Sequence, residues 1–154
     1  MKLNINYFED VDFLTLWNER LTDGGEDVSA CLTAFFDDSD DSVVSFTIQG
    51  AARNLAPVLY GEESFGKDRV RRKVGQLGYL EDVPLLIDYW PNSDTLRLWN
   101  GRPASREQVV ADTLIAELDA EGEAVGFTLE RAAAQLRPFL RRSGSTGREF
   151  AISA

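Results

Sequence analysis

Residues 3–20, LNINYFEDVDFLTLWNER, come back in outline as residues 85–102, LLIDYWPNSDTLRLWNGR. At a shift of 82, Leu3, Ile5, Tyr7, Asp12, Leu14, Leu16, Trp17, Asn18 and Arg20 all meet identical residues, and Val28, Leu32, Ala34 and Asp37 continue the match. The shift then falls to 81, laying residues 44–59, VSFTIQGAARNLAPVL, on residues 125–140, VGFTLERAAAQLRPFL. About twenty-one of about fifty-seven positions are identical, several times the chance level. A period this long exceeds any solenoid unit, so the pattern predicts a small domain written twice.

Within each copy the apolar period is mainly two, then helical. Residues 2–8 and 84–90 alternate as a first strand, and Asp-containing turns lead to a second carrying Leu14 and Leu16, or Leu96 and Leu98. A polar loop of about ten residues precedes a third strand, through Leu32 and Ala34 or Leu114 and Ala116. A fourth strand carries Phe46 or Phe127, and a short helix follows, ended or kinked at Pro57 or Pro138. In DRVRRKVGQL, Val70, Val74 and Leu77 stand at helical spacing, which predicts a linker helix. The expected fold is α+β: two ββββα units over 1–60 and 84–142, joined by the 61–83 linker, with 143–154 as a tail. The units are expected to pack about a pseudo-twofold axis.

Composition narrows the chemistry. The chain has 154 residues, a net charge of -10, no histidine and a single cysteine, Cys31. Zinc sites, Ser-His-Asp triads and Cys-His dyads therefore cannot be built within it. Neither a P-loop nor a GxGxxG is present. The acidic balance argues against a nucleic-acid binder, and the basic stripe Arg69, Arg71, Arg72 and Lys73 reads as a solvated face. The first 41 residues hold eleven acids and two bases. No apolar run is long enough to span a membrane, no export signal opens the chain, and a cytoplasmic address is expected.

Residues 35–42, FFDDSDDS, carry four aspartates in six positions and raise the question of a calcium loop. They occupy the place of DAEGE in the second copy, where Gly122 is available for positive φ in a hairpin connection. An EF-hand loop beginning at Asp37 would need glycine at its sixth position, which is Ser42. The cluster is thus read as a hairpin tip, with Asp37, Asp38, Asp40 and Asp41 exposed and no metal or other cofactor required.

The pattern just described resembles the bacterial domain-of-unknown-function family 2283. The second copy carries its motifs in DYWPNSDTLRLWN and TLIAELDAEGEAVGFTLERAA. The first carries them more loosely, in NYFEDVDFLTLWN and CLTAFFDDSDDSVVSFTIQGAA, with Asp40 and Ser45 where the family has glycines. The resemblance implies a small β-rich unit with a short helix. Because some members look like antitoxins of small ribonuclease-type toxins, it also implies a protein partner.

Strand alternation sends Phe13, Thr15 and Trp17 to the face opposite Leu14 and Leu16, and it does the same to Thr95, Arg97 and Trp99. One helix covers one sheet face, so the tryptophan faces are expected to pack on each other, with any remainder serving a partner. The recurring Asp12, Asp94, Asp37 and Asp119 are read as turn residues. Two functions follow. The first is a non-enzymatic interaction module, antitoxin- or immunity-like, that binds a basic protein. Its binding residues are Phe13, Trp17, Trp99, Asp37, Asp38, Asp40 and Asp41, with Asp23, Glu26 and Asp27 adding steering charge. The alternative is a carboxylate- or metal-dependent hydrolase. Monomer and homodimer are both open.

Overall fold

The computed structural model describes residues 1–60, 66–75 and 83–144, except the side chains of Asp23 and of residues 141–144. In the first half, β1 (Asn4–Phe8), β2 (Phe13–Trp17), β3 (Thr22–Ser29), β4 (Leu32–Asp37) and β5 (Val43–Gln49) precede α1 (Ala51–Leu59). A further strand, β6 (Val70–Val74), follows. The second half holds β7 (Leu85–Trp90), β8 (Thr95–Trp99), β9 (Arg106–Ala111), β10 (Leu114–Leu118), β11 (Ala124–Glu130) and α2 (Ala132–Gly144).

These elements make two antiparallel sheets, ordered β1-β2-β5-β4-β3 and β6-β7-β8-β11-β10-β9. The fold is therefore mostly β, not an α+β pair of ββββα units, and two local differences account for the correction. The expected polar loops are strands β3 and β9, paired to β4 and β10. Their sequences, TDGGEDVS and REQVVA, lack alternation because each lies at a sheet edge with half or more of its described side chains exposed. The expected linker helix is instead β6, whose Val70 opposes Tyr89 and Val74 opposes Leu85; Leu77 lies outside the described residues. A spacing of four suits strand and helix alike, and pairing with β7 selects the strand. Separately, Pro57 and Pro138 lie inside α1 and α2, which continue through them.

The aspartates of the β1–β2 and β7–β8 turns explain how each helix begins. Asp12 Oδ1 accepts from the Ala52 amide at 2.7 Å and Oδ2 from the Arg53 amide at 3.2 Å, while the Tyr7 hydroxyl donates to Oδ1 at 2.6 Å. Asp94 repeats the arrangement with the Ala133 amide at 2.7 Å, the Ala134 amide at 3.1 Å and the Tyr89 hydroxyl at 2.7 Å. A remote carboxylate thus satisfies first-turn amides that no helical carbonyl can reach, and it offsets the positive end of the helix dipole.

Leu14, Leu16, Phe46 and Ile48 from one sheet and Leu96, Leu98, Phe127 and Leu129 from the other join both helices in one buried cluster. Phe46 and Phe127 meet inside it, with ring centroids 4.7 Å apart and planes tilted by 45°. Burying such a side chain contributes about 1.5–3 kcal/mol. The leucine-bearing faces therefore pack together, and the tryptophan faces point outward. This reverses the expected packing. The larger apolar area went inside, as burial energetics favours.

Contacts between the halves come in matched pairs. Asn18 Nδ2 donates to the Val110 carbonyl at 2.9 Å, and Asn100 Nδ2 donates to the Val28 carbonyl at 3.2 Å. The Ala30 amide donates to the Val83 carbonyl at 2.8 Å, and the Asp112 amide to the Met1 carbonyl at 2.7 Å. The helices pack against each other too, with the Arg137 guanidinium on the Leu59 carbonyl at 2.6 and 3.0 Å.

Candidate functional site

The aspartate tip between β4 and β5 is held by its own side chains. Asp37 Oδ1 accepts from the Ser39 amide at 2.7 Å and its hydroxyl at 2.6 Å; Asp40 Oδ1 accepts from the Ser42 amide at 3.0 Å and its hydroxyl at 2.7 Å. Arg20 then reaches both, 2.6 Å from Asp37 and 3.2 Å from Asp40. The Ser39 hydrogen bonds lead in holding the Asp37 carboxyl below its ordinary range, and those of Ser42 leave Asp40 at about 2. Each carboxylate already has its partners, as Asx turns provide. Among the described residues no three Asp, Glu or Cys side chains are placed to hold a metal ion.

One expectation needs correction here. Asp38, Asp40 and Asp41 are exposed, but Asp37 is only 5% exposed, because its backbone closes the hairpin against Ser42 and its carboxylate turns inward to Arg20. Gly122 has the positive φ expected of it, 85°. In the first tip Asp41 takes that conformation, at 60°, one residue beyond Asp40, the position expected to replace the glycine. Aspartate tolerates the left-handed region better than most side chains.

The contacts between the halves bring this tip beside the β10–β11 tip of the second half. Between them lies an open cleft of about 710 Å³, lined by Glu26, Asp38, Asp40, Asp41, Glu121 and Glu123 among others. Arg106 supplies the positive charge in its wall, and Phe36 an apolar patch. Glu26 and Glu123 also border a smaller hollow of about 130 Å³, with Asp27, Asp119 and Arg102. Glu26 is free to do so because its counterpart in the repeat, Gln108, binds Val43 through both amide atoms, at 2.8 and 2.9 Å. A carboxylate cannot make the donor half of that pair, so it stays at the rim. Asp23 belongs to β3 but its side chain lies outside the described ones.

The three aromatics picked out from the sequence do not join this cleft. Phe13 and Trp17 lie half-buried on the outer face of the first sheet. Trp99 lies on the outer face of the second, donating from Nε1 to Asp88 at 2.9 Å, with the Arg97 guanidinium 3.7 Å from its ring centre. Such a cation over the indole face is attracted by the ring quadrupole. Burial pushes the Asp88 carboxyl up, but its hydrogen bonds to Arg71 and Trp99 leave it below its ordinary range. The residues missed from sequence are Glu121 and Glu123. Their alignment with the aspartate tip was visible, but the convergence of the two tips was not.

No family model matches the chain, nor does any curated protein or solved structure. Among the described residues no helix is long and apolar enough to cross a membrane.

Proposed function

We propose that this protein is a non-enzymatic binding module whose acidic cleft receives a basic segment of a partner protein. The observation that carries the reading is the convergence of Glu26, Asp38, Asp41, Glu121 and Glu123 from both halves on one open concavity. Like charges gathered this way repel each other unless a cation sits between them, and a Lys- or Arg-rich segment supplies that cation. Asp12, Asp94, Asp37 and Asp40 are already committed to helix amides, turn hydroxyls and Arg20, so the geometry favours binding over the hydrolase alternative. The resemblance to family 2283 belongs to the same proposal: the partner is a basic, RNA-gripping toxin in the cytoplasm, and the acidic cleft occupies the surface that would otherwise meet phosphate.

The test is a pull-down at low salt from cells that encode this chain, using the native protein and the fourfold variant Asp38→Asn, Asp41→Asn, Glu121→Gln, Glu123→Gln. A basic protein should be retained by the native chain, and its association should slow about tenfold in the variant. The difference should shrink above about 0.5 M salt, where exposed charges are screened. A purified chain that turns over a small substrate and retains no basic protein overturns the reading.

A further inference from the structure

We propose that Asn100 is a self-modifying site: the Gly101 amide nitrogen closes on its side-chain carbonyl carbon, ammonia leaves, and water opens the ring to aspartate or isoaspartate. Asn100–Gly101 is the chain's one Asn-Gly step. Glycine suits this reaction because no side chain crowds the attacking nitrogen. Gly101 is exposed, and among the described residues its amide makes no hydrogen bond.

The carboxamide is already folded toward that nitrogen. Asn100 Oδ1 accepts from the Arg102 amide at 3.0 Å, closing an Asx turn over the Gly101 peptide. The bond keeps the side-chain carbonyl beside the Gly101 nitrogen and draws electrons from the carbon to be attacked. As the new C–N bond forms, the Gly101 nitrogen gives up its proton, the NH2 group leaves with it as ammonia, and a five-membered imide remains. Water then adds to one imide carbonyl and breaks one C–N bond, so neither oxidant nor reductant is needed.

The first half supplies a comparison. Asn18 Oδ1 likewise accepts from the Arg20 amide at 3.0 Å. The residue after it is Glu19, whose φ is 71° where that of Gly101 is 86°, so the turn is similar but a side chain crowds the nitrogen. Asn18 is also held better. It is buried and its Nδ2 lies 2.9 Å from the Val110 carbonyl, whereas Asn100 is partly exposed and 3.2 Å from that of Val28.

The position gives the change a consequence. Asn100 Nδ2 is the donor that reaches Val28, and a carboxylate there has only acceptor oxygens to offer a carbonyl. The new charge also enters the hollow that Asn100 lines with Glu26, Asp27, Asp119 and Glu123, where Arg102 is the one cation among the described residues. The lost bond and the added repulsion both loosen the end of β3 from the second half, and the change runs one way.

The test holds the full chain at mildly alkaline pH and follows it by peptide mass mapping. Amide-to-acid conversion should be at least about tenfold faster at residue 100 than at residue 18, and about tenfold slower at residue 100 in Gly101→Ala. Asn100→Asp, one of the two products, should speed hydrogen exchange about tenfold at the Ala30 amide, which donates to the Val83 carbonyl at 2.8 Å. Asn92→Asp, adding the same charge on an exposed turn, should leave that exchange unchanged. The aged native chain, separated by its added charge, gives the same reading if Asn100→Asp does not fold. Conversion at residue 100 no faster than at residue 18, an equal rate in Gly101→Ala, or unchanged Ala30 exchange in the modified chain overturns the proposal. None of these readouts requires a partner in the cleft.

Discussion

At matched positions the outer face of the second sheet carries Asp88, Arg97, Trp99 and Glu117, and that of the first carries Asn6, Thr15, Trp17 and Phe35. The inner faces of the same strands hardly differ: leucine meets leucine and phenylalanine meets phenylalanine. In the second sheet the outer side chains form a closed ionic network. Arg97 binds Glu117 at 2.8 Å and Glu117 accepts from Thr128 at 3.0 Å, while Arg71 and Trp99 share Asp88. In the first sheet, Thr15 and Thr47 are 3.3 Å apart, Asp27 accepts from the Thr33 hydroxyl at 3.3 Å, and the other matched side chains are aromatic or neutral. The contrast teaches that burial constrains the inner face through shape, while the outer face changes freely if charges change in pairs.

The largest effect tests where the sheets do not differ. Phe46→Ala and Phe127→Ala should each cost about 3–5 kcal/mol, through lost transfer energy and the cavity left behind. Because both rings sit in one core, urea unfolding should remain a single transition in either variant. Two transitions would mean that the halves are independent and the comparison is between separate domains.

A smaller effect separates the faces. Asp88 is 1% exposed and serves both Arg71 and Trp99, so Asp88→Ala should cost about 2–3 kcal/mol by urea midpoint. Asn6→Ala, at the matched exposed site, should stay within about 0.5 kcal/mol. Equal costs would show that the ionic network adds nothing particular to the second sheet.

The smallest is a change of slope with pH that distinguishes the two tips. Asp40 is held at about 2 by Ser42 and then Arg20, below the ~4 of an unfolded aspartate. Its contribution is therefore full above pH ~4 and is lost as the pH falls toward 2. Asp40→Asn should lower the melting temperature between pH 5 and 8, and the difference from the native chain should close as the pH falls from about 4 toward 2. A variant as acid-sensitive as the native chain would remove Asp40 from the account.

What could be read in advance divides along the same line. Buried strands such as β2 and β5 announce themselves because one face must be apolar, and Leu14, Leu16, Phe46 and Ile48 alternate accordingly. Edge strands carry no such signature. TDGGEDVS, with two glycines and three acids, reads as a loop, and only its pairing to β4 makes it β3. Alternation also placed Trp17 and Trp99 opposite the leucines, but it cannot say which face meets the other half. The cleft was legible only as charge in the first tip. Its shape depends on contacts between Asn18 and Val110, and between Asn100 and Val28, which are separated by 92 and 72 residues.

The exchanged contacts have a consequence during synthesis. When the first half has left the ribosome it already carries Asn18, the Val28 carbonyl and Phe46, the kinds of group that the second half will later present to it. Until residues 85–144 emerge, the matching surface on hand is the first half of a neighbouring nascent chain. Correct assembly is thus a race between elongation, at about 5–20 residues per second, and encounter with a sibling. Closely spaced ribosomes favour the sibling, and dilute translation favours the intact chain.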